Sequence, residues 1–221
     1  MRLALVADLH ANLAAVEAVL EEIARLGVAD VVCLGDLVGY GAEPGGVLRA
    51  VRDVARVVVA GNHDREITVD KPGSGTSSSA RRTREWTRGV LDEADLAWLA
   101  ALPPIAREPP WVAVHGCYLD TTYVNGYVTE TMLGRRRAAS SSRAAGGVVA
   151  SWPGDAEAVL VNPGSVGQPR DGDPRAAFAV VDLAACEVAF HRVSYDVEHA
   201  ACAILEAGLD ASLAERLRDG R

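Results

Sequence analysis

Short apolar runs punctuate the chain, and their ends are polar. Leu3-Ala4-Leu5-Val6-Ala7, Val31-Val32-Cys33-Leu34, Val57-Val58-Val59-Ala60, Trp111-Val112-Ala113-Val114 and Ala158-Val159-Leu160-Val161 each run four or five residues. Runs of that length, bounded by turn residues, predict buried strands. Between the first two, Leu13, Val16, Val19, Leu20, Ile23 and Leu26 recur at helical spacing, which predicts a helix over 12–26 with Gly27 as its stop. Pro44 opens a second predicted helix through Val47, Leu48 and Val51. Strands alternating with helices imply parallel pairing and an α/β fold.

Later segments fill out the pattern. Residues 80–89 and 92–102 read as two helices, with Trp86, Leu91, Leu96, Trp98 and Leu99 as core. Residues 103–110, bracketed by Pro103-Pro104 and Pro109-Pro110, read as a connector. Residues 177–182 and 187–193 predict an antiparallel hairpin, and 196–209 and 211–217 two closing helices. Residues 70–79 read as a flexible loop, either a lid or plain surface. The stretch from Gly134 to Gly147 reads as a basic loop or frayed helix, whose Arg135, Arg136, Arg137 and Arg143 can meet phosphate or simply water. No internal repeat is visible, and one domain over 1–221 is the expectation.

The strand ends carry the chemistry. The first runs into Asp8-Leu9-His10, the second into Gly35-Asp36-Leu37-Val38-Gly39, and the third into Gly61-Asn62-His63-Asp64. Asp8, Asp36 and Asn62 are separated by about one βαβ crossover each, roughly 30 residues. Parallel strands so connected bring their ends to one edge of the sheet, where ligands of open α/β sheets collect. Asp8, His10, Asp36, Asn62 and His63 are expected to converge there, with Asp64 placed to orient His63. The tetrapeptide 61–64 taken alone reads equally as a turn. His115-Gly116 stands at the end of a fourth strand and adds a further imidazole.

Composition narrows the partners. With 221 residues and 49% hydrophobic content the chain can bury a sizeable core. A formal net charge of −8 disfavours a general nucleic-acid or membrane-surface binder. The apolar run at the N-terminus ends at Asp8, shorter than a secretory signal, and no stretch approaches the roughly 18 apolar residues of a membrane span. Cys33, Cys117, Cys186 and Cys202 are scattered without a Cys-x-x-Cys pair, so a reduced, cytoplasmic setting is expected. Asp8, Asp36 and Asp64 at one sheet edge would repel one another without cations.

Oxygen ligands mixed with imidazole suit Mn, Fe or Zn, with Mg or Ni also accommodated. A carboxylate such as Asp36 can bridge two divalent ions, and two ions roughly 3.5–4 Å apart stabilise the attacking and leaving oxygens of displacement at phosphorus. A water between them would be the nucleophile, and His63 could protonate the leaving alkoxide. The chain has no Gly-x-Ser-x-Gly elbow, P-loop or Gly-x-Gly-x-x-Gly.

The blocks Asp8-Leu9-His10, Gly35-Asp36-Leu37-Val38-Gly39, Gly61-Asn62-His63-Asp64 and His115-Gly116 resemble the calcineurin-like metallophosphoesterase superfamily. Asp36 to Gly41 and Asn162-Pro163-Gly164-Ser165-Val166-Gly167-Gln168-Pro169-Arg170 resemble its small bacterial phosphodiesterase-like branch. The resemblance implies a four-layer αββα sandwich, two mixed β-sheets flanked by helices. It implies two divalent metal ions: Asp8 and His10 on the first, Asp36 bridging, Asn62 and His115 on the second, and His63 as proton donor. The implied substrate is a small-molecule phosphodiester or nucleotide-like phosphate ester.

One block departs from the pattern. The family carries Gly-His-x-His between its His-Gly and Asn-Pro-Gly blocks, one imidazole for each metal. Here no histidine lies between His115 and His191. Each metal would keep Asp8, His10 and Asp36, or Asp36, Asn62 and His115. The alternative expectation is therefore a metal- or phosphate-binding protein with weak or no catalysis. A third is an α/β protein whose polar strand ends bind only an organic anion.

Overall fold

The computed structural model describes residues 1–69, 78–116, 137–140, 146–151 and 158–221. The first half follows the predicted alternation: β1 (Arg2–Val6), α1 (Leu13–Arg25), β2 (Asp30–Cys33), α2 (Pro44–Val54), β3 (Ala55–Val58). Then come α3 (Asn62–Thr68), α4 (Ser78–Val90), α5 (Glu93–Ala101), β4 (Ile105–Glu108) and β5 (Trp111–His115). β6 (Arg137–Ser140), β7 (Gly146–Ser151), β8 (Ala158–Asn162), β9 (Ala176–Asp182), β10 (Glu187–Val193), α6 (Val197–Glu206) and α7 (Ala211–Asp219) complete the described chain.

These strands form two five-stranded sheets. The first has the order β10-β9-β1-β2-β3, and the second β4-β5-β7-β8-β6. β1, β2 and β3 are parallel, while β9 runs antiparallel to β1 and pairs antiparallel with β10 as the expected hairpin. Both sheets are mixed, the second through parallel pairing of β6 with β8.

The continuous apolar runs exist because the first sheet is covered on both faces. Period-2 alternation sends Ala4, Val6, Val31, Cys33, Phe178 and Val180 into a core shared with α1 and α2. The intervening Leu3, Leu5, Ala7, Val32, Leu34, Ala179 and Val181 meet Trp111, Ala113, Val159 and Val161 of the second sheet. Each large side chain so buried contributes about 1.5–3 kcal/mol. The two sheets are thereby clamped face to face, which holds their strand ends in fixed relation. A third cluster, Ala200, Ala201 and Ile204 with Leu213, Ala214 and Leu217, packs α6 on α7 and reaches Tyr40.

Several elements differ from the sequence reading. Residues 105–108 form the edge strand β4 rather than a connector, paired antiparallel with β5 from Ile105↔Val114 to Glu108↔Trp111. The third strand begins at Ala55 and ends at Val58, and Val59 is bonded from its N–H to the Cys33 carbonyl. Residues 137–140 and 146–151 are strands, where a basic loop or frayed helix is expected. Residues 62–68 form a helix, so 61–64 is a helix start and not a simple turn. Arg135, Arg136 and Arg143, most of the 70–79 loop, Cys117 and the tyrosine-bearing stretch 118–127 lie outside the described residues. Among the described residues, no helix is long and apolar enough to cross a membrane.

Candidate metal centre

The loops after β1 and β2 are stitched together by their backbones. Asp8 N–H donates to the Gly35 carbonyl at 3.0 Å, His10 N–H to Asp36 at 2.9 Å and Ala11 N–H to Leu37 at 2.9 Å. These loops curl through the left-handed region: φ is 53° at Asp8, 46° at His10, 55° at Asp36 and 64° at Tyr40. A non-glycine residue held there costs on the order of 1–3 kcal/mol, tolerated where the surroundings over-determine it and concentrated at functional sites. The strap 162–170 locks the first loop from outside. Gly167 N–H and the Ser165 hydroxyl both donate to the Asp8 carbonyl, at 2.8 and 3.0 Å. A Cβ on Gly167 would run into the Leu9 carbonyl, so no other residue fits that contact.

Asp64 does something different from the expected orientation of His63. Its carboxylate accepts four backbone N–H groups: Asp36 at 2.9 Å, Leu37 at 2.9 Å, Val38 at 3.3 Å and Gly61 at 2.8 Å. The group is fully buried. It is a pin that joins the second and third strand-end loops. Burial and the negative charge of Asp36 push its carboxyl up to about 7, against the pull of the Gly61 and Val38 N–H donors.

With the loops so fixed, two groups of donors form around Asp36. Asp8, Asp36 and His115 offer ligand atoms within 4.8 Å of one another, and so do His10, Asp36 and His63. Asp36 Oδ2 lies 3.4 Å from His115 Nε2 and 3.9 Å from His10 Nε2. Its Oδ1 accepts the His63 N–H at 2.9 Å, and a Cβ on Gly61 would strike it. Asn62 Oδ1 is 3.2 Å from His115 Nε2. Asp8, His10, Asp36 and His115 are buried, whereas Asn62 and His63 are half-buried. His115 reaches the group from the second sheet, at the end of the antiparallel strand β5. His63 packs with its ring centroid 5.0 Å from His10 and 4.5 Å from Tyr40. A Cβ at Gly39, whose φ is +90°, would sit 2.5 Å from His63 Nδ1, so glycine there makes room for the ring.

The donor chemistry fits divalent cations. His115 Nδ1 lies 2.7 Å from the Leu34 carbonyl, which fixes Nδ1–H as donor and turns Nε2 toward Asn62 Oδ1 and Asp36 Oδ2. An imidazole oriented through its far nitrogen by a backbone carbonyl is the usual setting of a metal-binding histidine. Nε2 and the Asn62 oxygen are both acceptors in that tautomer, so a proton or a cation must stand between them. Without a cation it is a proton: burial would lower the His115 pKa, but Asp36 and Asp8 override it and raise it to about 10. Asp36 is held well below the usual carboxylate range, with burial opposed by His115, His63 and His10. His10 lies below its ordinary value because burial disfavours its charged form.

The two remaining histidines do not supply the missing imidazoles. His191 stacks on Phe178 at 4.7 Å, on the helix-covered side of the first sheet. His199 lies on α6, its N–H capped by Asp196. With five histidines in the chain, only His10, His63 and His115 stand in the cluster.

A two-sheet α/β sandwich with this carboxylate–imidazole cluster at its strand ends has the architecture of the metallophosphoesterases. The chain belongs to the calcineurin-like phosphoesterase superfamily, whose model matches residues 1–185. A metallophosphoesterase from Sphaerobacter thermophilus superposes with a TM-score of 0.81 at 32% identity, covering 100% of this chain and 99% of its own. A hypothetical protein from Pyrococcus horikoshii superposes at 0.80 and 21% identity, covering 100% and 98%. An uncharacterized protein of Methanocaldococcus jannaschii is 29% identical over 240 residues, covering 99% of this chain and 98% of that protein.

Proposed function

We propose that the chain is a metal-dependent phosphoesterase that hydrolyses a phosphodiester or nucleotide-like phosphate ester. The observation that carries this reading is Asp36, shared by two three-donor groups whose ligand atoms lie within 4.8 Å of one another. The resemblance implies Asp8 on the first metal with His10. Because Asp8 shares a 4.8 Å donor group with Asp36 and His115, we assign it to the second instead. Asp8, Asp36, Asn62 and His115 would then hold one divalent cation, and His10 and Asp36 the other. Cations bound there would neutralise phosphoryl charge and bring the pKa of water toward neutrality. Buried Asp36 is held below the usual carboxylate range by the imidazoles around it and is charged at neutral pH, and the pin at Asp64 fixes where that charge lies. His63 is half-buried, beside the cluster and open to an incoming ester. As the phosphorus–oxygen bond breaks, its proton passes to the departing alkoxide, and a water proton restores it.

Hydrolysis of bis-p-nitrophenyl phosphate with Mn²⁺ tests the reading. His63→Ala is expected to lower kcat by about 10²–10⁴-fold while bound metal persists. Loss of metal in that variant would make His63 a ligand, which its place beside His10 and Asp36 permits. Turnover unaffected by the change would remove it from the chemistry.

Three cluster histidines instead of five favour a second reading, a metal- or phosphate-binding protein with little catalysis. Two tightly held ions per chain support the enzyme, and one or none supports the binder.

Cation binding has a pH signature. The His115 pKa is raised, so an empty site holds a proton that a cation must displace. Affinity should therefore rise with pH between 6 and 8, by about tenfold per unit for one displaced proton. Mn²⁺ titrations at several pH values measure it, and a flat profile contradicts the assignment of Nε2 as a donor to metal.

A further inference from the structure

Beside the cluster lies an open cavity of about 510 Å³, lined by Tyr40, Arg170, Ser212, Glu215, Arg216 and Arg221. Tyr40 borders both. Its ring is 4.8 Å from the His10 ring and 4.5 Å from that of His63. The Arg170 guanidinium lies 5.8 Å from its centroid. Arg170 is thus at most about 11 Å from the His10 ring, two contacts away. Its Nη2 also donates to Gln168 Oε1 at 3.0 Å, which fixes the guanidinium in the strap that braces Asp8.

The second arginine comes from a separate element. Arg216 lies one turn after Ser212 on α7, so both side chains share a helix face. Arg216 is exposed, and among the described residues it has no ion-pair partner, whereas Arg221 is paired with Asp219. Glu215 is the one acidic side chain among the lining residues, against the guanidinium groups of Arg170, Arg216 and Arg221. In a chain of net charge −8 an arginine-rich cavity next to a carboxylate cluster is a local inversion of charge.

We infer that this cavity receives a second anionic group of the substrate, a phosphate carried on the part of the ester remote from the bond that breaks. The inference rests on the phosphoesterase reading and narrows its substrate class to diesters bearing a further phosphate. Guanidinium groups bind phosphate through paired N–H donors, and the Ser212 and Tyr40 hydroxyls add neutral ones. The Tyr40 ring, which touches His10, His63 and Arg170 and lines the cavity, offers apolar surface for the connecting portion of the ester.

Binding of two dithymidylates to the protein as purified tests the inference. Both carry a hydrolysis-resistant phosphorothioate link, and one has a 5′-terminal phosphate. The phosphorylated probe should bind the wild-type chain more tightly, by on the order of tenfold, as measured by isothermal titration calorimetry. Arg216→Gln should abolish that preference, and Arg216→Lys should restore part of it by keeping the charge. Because Arg216 is exposed on α7, neither change disturbs a core. Equal binding of the two probes by the wild type, or a preference that survives Arg216→Gln, overturns the inference. Turnover of bis-p-nitrophenyl phosphate, which carries no second anion, is scored separately: its absence would remove the esterase reading while leaving the binding preference as measured.

Discussion

Asp36→Ala should cost the protein both its bound metal and its turnover. Asp36 alone belongs to both donor groups, with Oδ2 placed 3.4 Å from His115 Nε2 and 3.9 Å from His10 Nε2. Changes to groups that merely orient metal ligands cost 10–100-fold in affinity or activity, so a shared ligand should cost at least about 100-fold in each. The fold should survive better than the function. Removing the carboxylate relieves charge crowding near Asp8 and leaves the Asp64 pin in place. Metal content by elemental analysis and kcat/KM on bis-p-nitrophenyl phosphate are the paired readouts. A variant that keeps two ions and its activity would break the account.

Asp64→Ala should act the other way, on stability first. Its carboxylate accepts four backbone N–H groups in a fully buried setting. An unsatisfied buried donor costs about 1–3 kcal/mol, and the four would not all find water. A loss of about 3–5 kcal/mol follows, which for a chain of this size lowers Tm by on the order of 10 °C. Asp64→Asn keeps one acceptor oxygen and should fall between. Thermal melts in excess chelator separate this effect from lost metal. Equal Tm for wild type and Asp64→Ala would mean that the pin is not what holds the loops.

These two aspartates show where the sequence is informative and where it is not. Asp8 and Asp36 are legible as strand-end residues because the runs before them are apolar on every residue, as a sheet covered on both faces requires. Their convergence follows from parallel connection, which β1, β2 and β3 display. Asp64 misleads because a carboxylate beside a histidine invites pairing with it, while three of its four partners are backbone groups 26–28 residues away. His115 is legible as a strand-end imidazole, but periodicity does not say which sheet a strand joins. β4 escapes notice because Ile105-Ala106-Arg107-Glu108 is half polar, as edge strands are. β6, Arg137-Ala138-Ala139-Ser140, carries no β-branched or aromatic residue to mark it. Arg216 has no local signal at all: it matters only because α6 and α7 pack against Tyr40.

The family membership and the fold make a phosphoester substrate the natural direction, and the geometry around Asp36 supplies the chemical reason. The cluster carries three imidazoles and is braced by a carboxylate pin and a Gly167-bearing strap. Strained backbone at Asp8, His10, Asp36 and Tyr40 is the cost of aiming those groups at one point.

Crystals grown with Mn²⁺ and measured at the manganese edge give the most direct test. The account predicts anomalous density touching the Asp36 carboxylate, with one peak also against Asp8 and His115 and another against His10. Crystals diffracting well, with millimolar Mn²⁺ and no anomalous peak at Asp36, would contradict it.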